Sequence, residues 1–122
     1  MSKLFLRLDL APGHAIGPGK VGLLEKVRDL GSISAAARAM KMSYRRAWLL
    51  IENLNESFDK PVIDASTGGL HGGGATLTRF GLEVIERYRA MEAMAEKSVS
   101  THMKAFERAS AVKGRGGRGP RS

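Results

Sequence analysis

Residues 31–58, GSISAAARAMKMSYRRAWLLIENLNESF, run almost directly into residues 61–81, PVIDASTGGLHGGGATLTRFG, and this succession decides the fold. The first stretch divides into two amphipathic segments around Lys41 and Met42. Ser34 is positioned to cap the first, where Ala36, Ala37 and Met40 form a narrow face of small residues that lets another helix approach closely. Ser43 is placed to cap the second, which runs to about Phe58. There Tyr44, Ala47, Trp48, Ile51, Leu54 and Phe58 fall on one stripe, while Arg45, Arg46, Leu49, Glu52 and Asn53 fall largely on the other side. Trp48 suits a base-stacking contact, but a lone tryptophan on such a stripe is expected in the core. The second stretch holds two short β-type runs, VIDAS and ATLT, on either side of TGGLHGGG.

Helix, turn, helix and hairpin in that order predict a mainly α fold with a small β component, a winged helix-turn-helix. In this arrangement the second helix of the pair enters a DNA major groove and the hairpin touches the adjacent backbone. Arginine makes two parallel hydrogen bonds to guanine O6 and N7, and serine or tyrosine reaches a phosphate. The candidates for those tasks are Ser34, Lys41, Ser43, Tyr44, Arg45 and Arg46. In the hairpin they are Thr67, Gly68, Gly69, His71, Gly72 and Gly73, because glycine permits positive φ and leaves backbone amides open to a phosphate. His71 suits a phosphate or minor-groove contact and equally suits an ordinary exposed loop. Taken without the surrounding motif, the arginines would fit a solvated face.

The rest of the composition bounds the function. A length of 122 residues fits one domain with extensions. Twenty Lys and Arg against twelve Asp and Glu give a net charge of +8, which favours a polyanionic partner. Four of those charges, Lys113, Arg115, Arg118 and Arg121, lie in the final segment, so charge alone argues only moderately for nucleic acid. The absence of cysteine removes disulfides, thiolate metal sites and thiol nucleophiles and fits a cytoplasmic protein. No apolar run reaches the ~18 residues of a membrane span, and the opening LFLRLDL lacks the features of a signal peptide. Its alternating Leu4, Leu6, Leu8 and Leu10 predict a strand ending at Ala11, followed by turn and loop in PGHAIGPG. GHAIGPGKV fails the Walker pattern at His14 and Val21, and the three histidines form no catalytic or metal motif. Nothing argues for an enzyme, a cofactor or a metal.

Leu23, Leu24, Val27 and Leu30 predict a scaffold helix from about Lys20, with Gly31 as a left-handed cap. From Thr78 a single long helix is expected. Its Ile85, Tyr88, Met91, Ala95, Val99, Met103 and Phe106 recur at an average spacing of ~3.5 residues, the mark of helix pairing. A small winged domain cannot cover so long a stripe, so a homodimer is expected, with an inverted-repeat operator as its target. The organisation is thus a DNA-binding domain at 1–78, a dimerisation helix at 79–109 and a disordered basic tail at 110–122.

The run GSISAAARAMKMSYRRAW, the wing TGGLHGGGATLTRFG and the following helix resemble the N-terminal domain of ModE-type molybdate-responsive regulators. More distantly they resemble the LysR-type winged helix, which shares the GSxSxAA opening and the LTxxG that starts the linker helix. The resemblance covers about residues 17–104 and implies a dimeric repressor or activator on palindromic DNA. It places Ser43, Tyr44, Arg45 and Arg46 at the DNA-reading positions and residues 67–74 in the wing. Such regulators continue into molybdate-binding β-barrels with no counterpart here, so molybdate binding within these 122 residues is not expected. A nucleoid-associated protein with little sequence preference, or a winged-helix protein-interaction module, would share many of these features.

Overall fold

The computed structural model describes residues 2–65 and 74–112. Its elements are β1 (Leu8–Ala11), β2 (His14–Ile16), α1 (Pro18–Leu30), α2 (Ile33–Ala39), α3 (Tyr44–Ser57), β3 (Ile63–Ala65), β4 (Ala75–Leu77) and α4 (Arg79–Ala109). The strands form two antiparallel ribbons, β1 with β2 and β3 with β4. The architecture is the winged helix-turn-helix followed by a long helix.

Helix α1 starts at Pro18, where the missing amide would have had no helical partner. It ends as expected at Gly31, whose φ of 71° is left-handed and whose amide donates to Val27 O at 2.8 Å. The Gly31 carbonyl in turn accepts from Ala75 N at 3.1 Å, which ties the start of β4 to the end of α1.

The opening segment departs from expectation. Only Leu8–Ala11 of the leucine-alternating run is strand, and Leu8 and Leu10 are exposed while Leu6 packs on the core. The expected loop contains β2, paired as Leu8↔Ile16 and Asp9↔Ala15 around a turn at Gly13, φ 81°. Long-range side-chain bonds hold this ribbon to α3. Asn53 Nδ2 donates to Gly13 O at 2.9 Å, and Lys20 Nζ donates to Asn53 Oδ1 and Ala15 O at 2.6 and 2.8 Å. The Ser57 hydroxyl donates to Asn53 O, leaving its oxygen to accept from His14 Nδ1 at 2.9 Å.

The cap of α2 is Ser32, whose Oγ accepts from Ala35 N at 2.9 Å. Ser34, the expected cap, lies inside the helix and accepts from the Arg38 guanidinium at 3.3 Å. Burial of Ile33 explains the shift: Ile33, Ala36, Ala37 and Met40 form an i, i+3, i+4, i+7 face, so the helix must begin before Ile33.

All three helices of the compact part meet in one core. Val21, Leu23, Leu24 and Val27 of α1 pack with Ile33, Ala36 and Ala37 of α2 and with Ala47, Ile51 and Leu54 of α3. Val62, Ile63 and Ala75 close it from the hairpin, and Val84, Ile85 and Tyr88 from α4. Among the described residues no charged or polar side chain is buried. Each fully buried leucine or valine contributes about 1.5–3 kcal/mol.

Helix α4 is anchored at its first turn. Thr78 Oγ1 accepts from Gly81 N at 2.9 Å, the cap expected, and its hydroxyl donates to Pro61 O at 2.7 Å. Gly81 lies so close to the Val62 backbone that no larger side chain fits. Two turns later the Tyr88 hydroxyl donates to Leu6 O at 2.7 Å, and burial pushes its phenol up from the ordinary value, so it stays a donor. Arg89 makes two bonds to Glu25 of α1, 2.8 and 2.9 Å, and one to Glu92. Thirty-one residues give α4 a length of about 46 Å. Near its end, the Glu107 carboxylate accepts from the amide and hydroxyl of Ser2.

Candidate nucleic-acid interface

The turn between α2 and α3 is built by two backbone decisions. Met40 ends α2, Lys41 takes a left-handed φ of 59°, and Met42 N donates back to Ala37 O at 3.0 Å. Ser43 then caps α3, its Oγ accepting from Arg46 N at 3.0 Å. Lys41, Ser43, Tyr44, Arg45 and Arg46, the candidates named from the sequence, are all exposed around this turn and the start of α3.

Not every surface cation is paired. Arg7, Arg28, Arg87 and Arg89 are each paired with a carboxylate. The side chains of Lys41, Arg45 and Arg46 have no hydrogen bond or ion pair among the described residues. Helix α3 has no acidic residue in its first turn, and its two arginines there sit against the positive end of the helix dipole. That placement costs about 0.3–1 kcal/mol per charge and suits a surface built to meet an external anion. A nucleic-acid phosphate would be such an anion, and a guanidinium has the fork geometry for guanine.

The expected apolar stripe of α3 is displaced. Ala47, Ile51 and Leu54 are buried, but Tyr44 is 54% and Trp48 41% exposed. Trp48 stands ~100° around the helix from Ala47, at the margin of the buried stripe, which is why spacing alone assigned it to the core. Sequence reasoning also gave Asn55 no role. Its Oδ1 accepts from Val62 N at 2.7 Å and Ile63 N at 3.3 Å, holding the foot of the hairpin against α3. The hairpin pairs Ile63↔Leu77, Asp64↔Thr76 and Ala65↔Ala75. Its tip candidates, Thr67, Gly68, Gly69, His71, Gly72 and Gly73, lie outside the described residues, as does 113–122 of the expected tail. Ser34 is exposed on α2.

Bacterial regulatory helix-turn-helix proteins of the LysR family match residues 20–82, from the first turns of α1 through the hairpin into α4. This chain belongs to that family. Among curated relatives, the LysR-family chain is 40% identical over 94 residues to the molybdenum-pterin-binding protein MopB of Rhodobacter capsulatus, covering 77% of this chain and 35% of MopB. It is 36% identical over 87 residues to the molybdenum transport protein ModE of Azotobacter vinelandii, 71% of this chain and 32% of that protein. With the DNA-binding transcriptional dual regulator ModE of Escherichia coli it shares 32% identity over 97 residues, 80% and 37% of the respective chains. The chain therefore spans about a third of the length of these relatives. Among the described residues no helix is long and apolar enough to cross a membrane.

On α4 of this LysR-family chain the pairing stripe divides in two. Ile85 and Tyr88, expected in a dimer interface, are 5% and 3% exposed in the domain's own core and are unavailable to a partner. Met91 and Phe106 are exposed, and Ala95, Val99 and Met103 half-buried, along the part of the helix beyond the core.

Proposed function

We propose that this chain is a DNA-binding transcription regulator that recognises an inverted repeat as a homodimer and controls genes of molybdenum uptake or use. The observation that carries the reading is the exposed, unpaired set of Lys41, Arg45 and Arg46 at the start of α3. In it α3 enters the major groove, Arg45 and Arg46 contact bases, and Lys41, Ser43 and Tyr44 contact the backbone. Residues 67–73 form the wing against the flanking phosphates, with Ser34 at the groove edge. Dimerisation uses Met91, Ala95, Val99, Met103 and Phe106, and sets the two α3 helices about 34 Å apart on successive grooves. The molybdenum assignment rests on the names of the relatives.

The test is selection of genomic fragments by the purified protein near physiological salt, with and without molybdate. One inverted repeat upstream of transport genes is the expected result. DNA without a shared sequence would instead indicate an architectural protein, and no recovered DNA a protein-docking module. Arg45→Ala or Arg46→Ala should reduce preference for the selected site over random DNA by roughly 5- to 150-fold. An equal loss on all sequences with a shallower salt dependence would make them phosphate contacts.

A further inference from the structure

Trp48 combines three properties that a core residue would lack. It is 41% exposed, its indole N–H has no partner among the described residues, and it lines a shallow cleft with Tyr44, Arg45 and Leu49. Tyr44 and Leu49 are likewise large, apolar and about half exposed, so three such side chains cluster on the first two turns of α3. The cleft's orientation follows from Asn55. Seven residues separate it from Trp48, two turns that bring both to within ~20° on the helix surface. Since Asn55 bonds the foot of the hairpin, Trp48 stands on the same side of α3 as that foot.

An apolar cleft beside unpaired arginines fits a narrow class of partner. Within the major groove the base edges present donors, acceptors and a single apolar group, the 5-methyl of thymine. We infer that Tyr44, Trp48 and Leu49 form a seat for a thymine methyl, making Trp48 a specificity-determining residue next to the guanidinium of Arg45. This rests on the DNA-binding reading above. The indole face supplies apolar contact for the methyl, and Arg45, on the cleft's polar rim, fixes the neighbouring base or phosphate.

Two readouts separate this inference from the reading beneath it. Anisotropy of fluorescein-labelled poly(dA-dT) and poly(dA-dU) duplexes reports binding of any kind, and the two probes differ only in the 5-methyl. The wild-type protein should bind the thymine duplex about fourfold more tightly per seated methyl. Trp48→Ala should bind both equally, and Trp48→Phe, which keeps an apolar face, should retain part of the preference. Because Trp48 is the chain's single tryptophan, its emission reports this cleft alone, and it should change as the duplex saturates. Saturating anisotropy with no methyl preference, or the same preference in Trp48→Ala, overturns the methyl seat and leaves DNA binding intact. No anisotropy change with either duplex or with the fragment recovered by genomic selection overturns both. Far-UV circular dichroism of Trp48→Ala should match the wild type, since the side chain lies outside the core.

Discussion

Replacing Gly81 with alanine should destabilise the fold more than any other single-methyl addition to a described glycine. A Cβ at this position would overlap the Val62 carbonyl oxygen and lie 3.0 Å from its carbon and 3.3 Å from its Cα. The obstacle is backbone, so no rotamer change relieves it, and Val62 is itself fully buried. Moving the carbonyl away would also weaken its 3.0 Å bond from Thr78 N, which joins the hairpin to α4. Overpacking of this kind costs about 1–3 kcal/mol and the strained hydrogen bond about 1 kcal/mol more. Alanine's helix propensity returns at most ~1 kcal/mol. The net loss is about 1–3 kcal/mol, or roughly 4–15 °C in the melting midpoint of a domain this size. Thermal melts by circular dichroism at matched protomer concentration measure it, since association makes the midpoint concentration-dependent. Gly19→Ala is the control: it lies in α1 with open space around its Cβ and should leave the midpoint unchanged or slightly raised. A Gly81→Ala midpoint at or above the wild-type value would refute the close-packing argument.

Ser32→Ala should lower unfolding free energy by about 1 kcal/mol in urea titrations, and Ser34→Ala by less than about 0.5; the reverse order would return the cap to Ser34. The Arg89 hydrogen bonds hold the Glu25 carboxyl below its ordinary value of 4.5, so the folded chain keeps this group ionised to lower pH than the unfolded chain does. Its contribution is therefore complete above about pH 4.5 and declines as pH falls through the folded value. Glu25→Gln should cost about 0.5–1 kcal/mol near pH 7 and close to nothing in strong acid, and an equal difference in urea titrations at both would exclude the ion pair as the cause.

Much of the fold was legible because its signals are local. Gly31, Ser43 and Thr78 act as the caps their residue types suggest, and apolar spacing located every helix. The first ribbon was not legible, since a three-residue strand is too short to show alternation. Its support comes from Asn53 and Ser57, some forty residues further along the chain. Periodicity also failed on α4, where one continuous stripe serves the core at Ile85 and Tyr88 and then runs on past it. A spacing pattern carries no mark of where one partner ends. The basic edge of α3 was readable from the turn and Ser43, whereas the exposure of Trp48 depended on where the buried stripe was centred, a matter of ~100°.

The Asn55 bonds to the hairpin foot give α3 and the wing strands a common frame of motion. Two probes fixed to one rigid plate cannot be fitted to a surface independently. Were α3 to slide along a groove by one base pair, the wing would be carried with it, onto a different sugar or off the backbone altogether. On the proposed mode of binding, misalignment is thereby penalised twice, and the spacing of the two contacts is set inside the protein before any ligand is met. Cutting that link, by contrast, would leave two modest contacts that each tolerate slippage, and selectivity would fall faster than affinity.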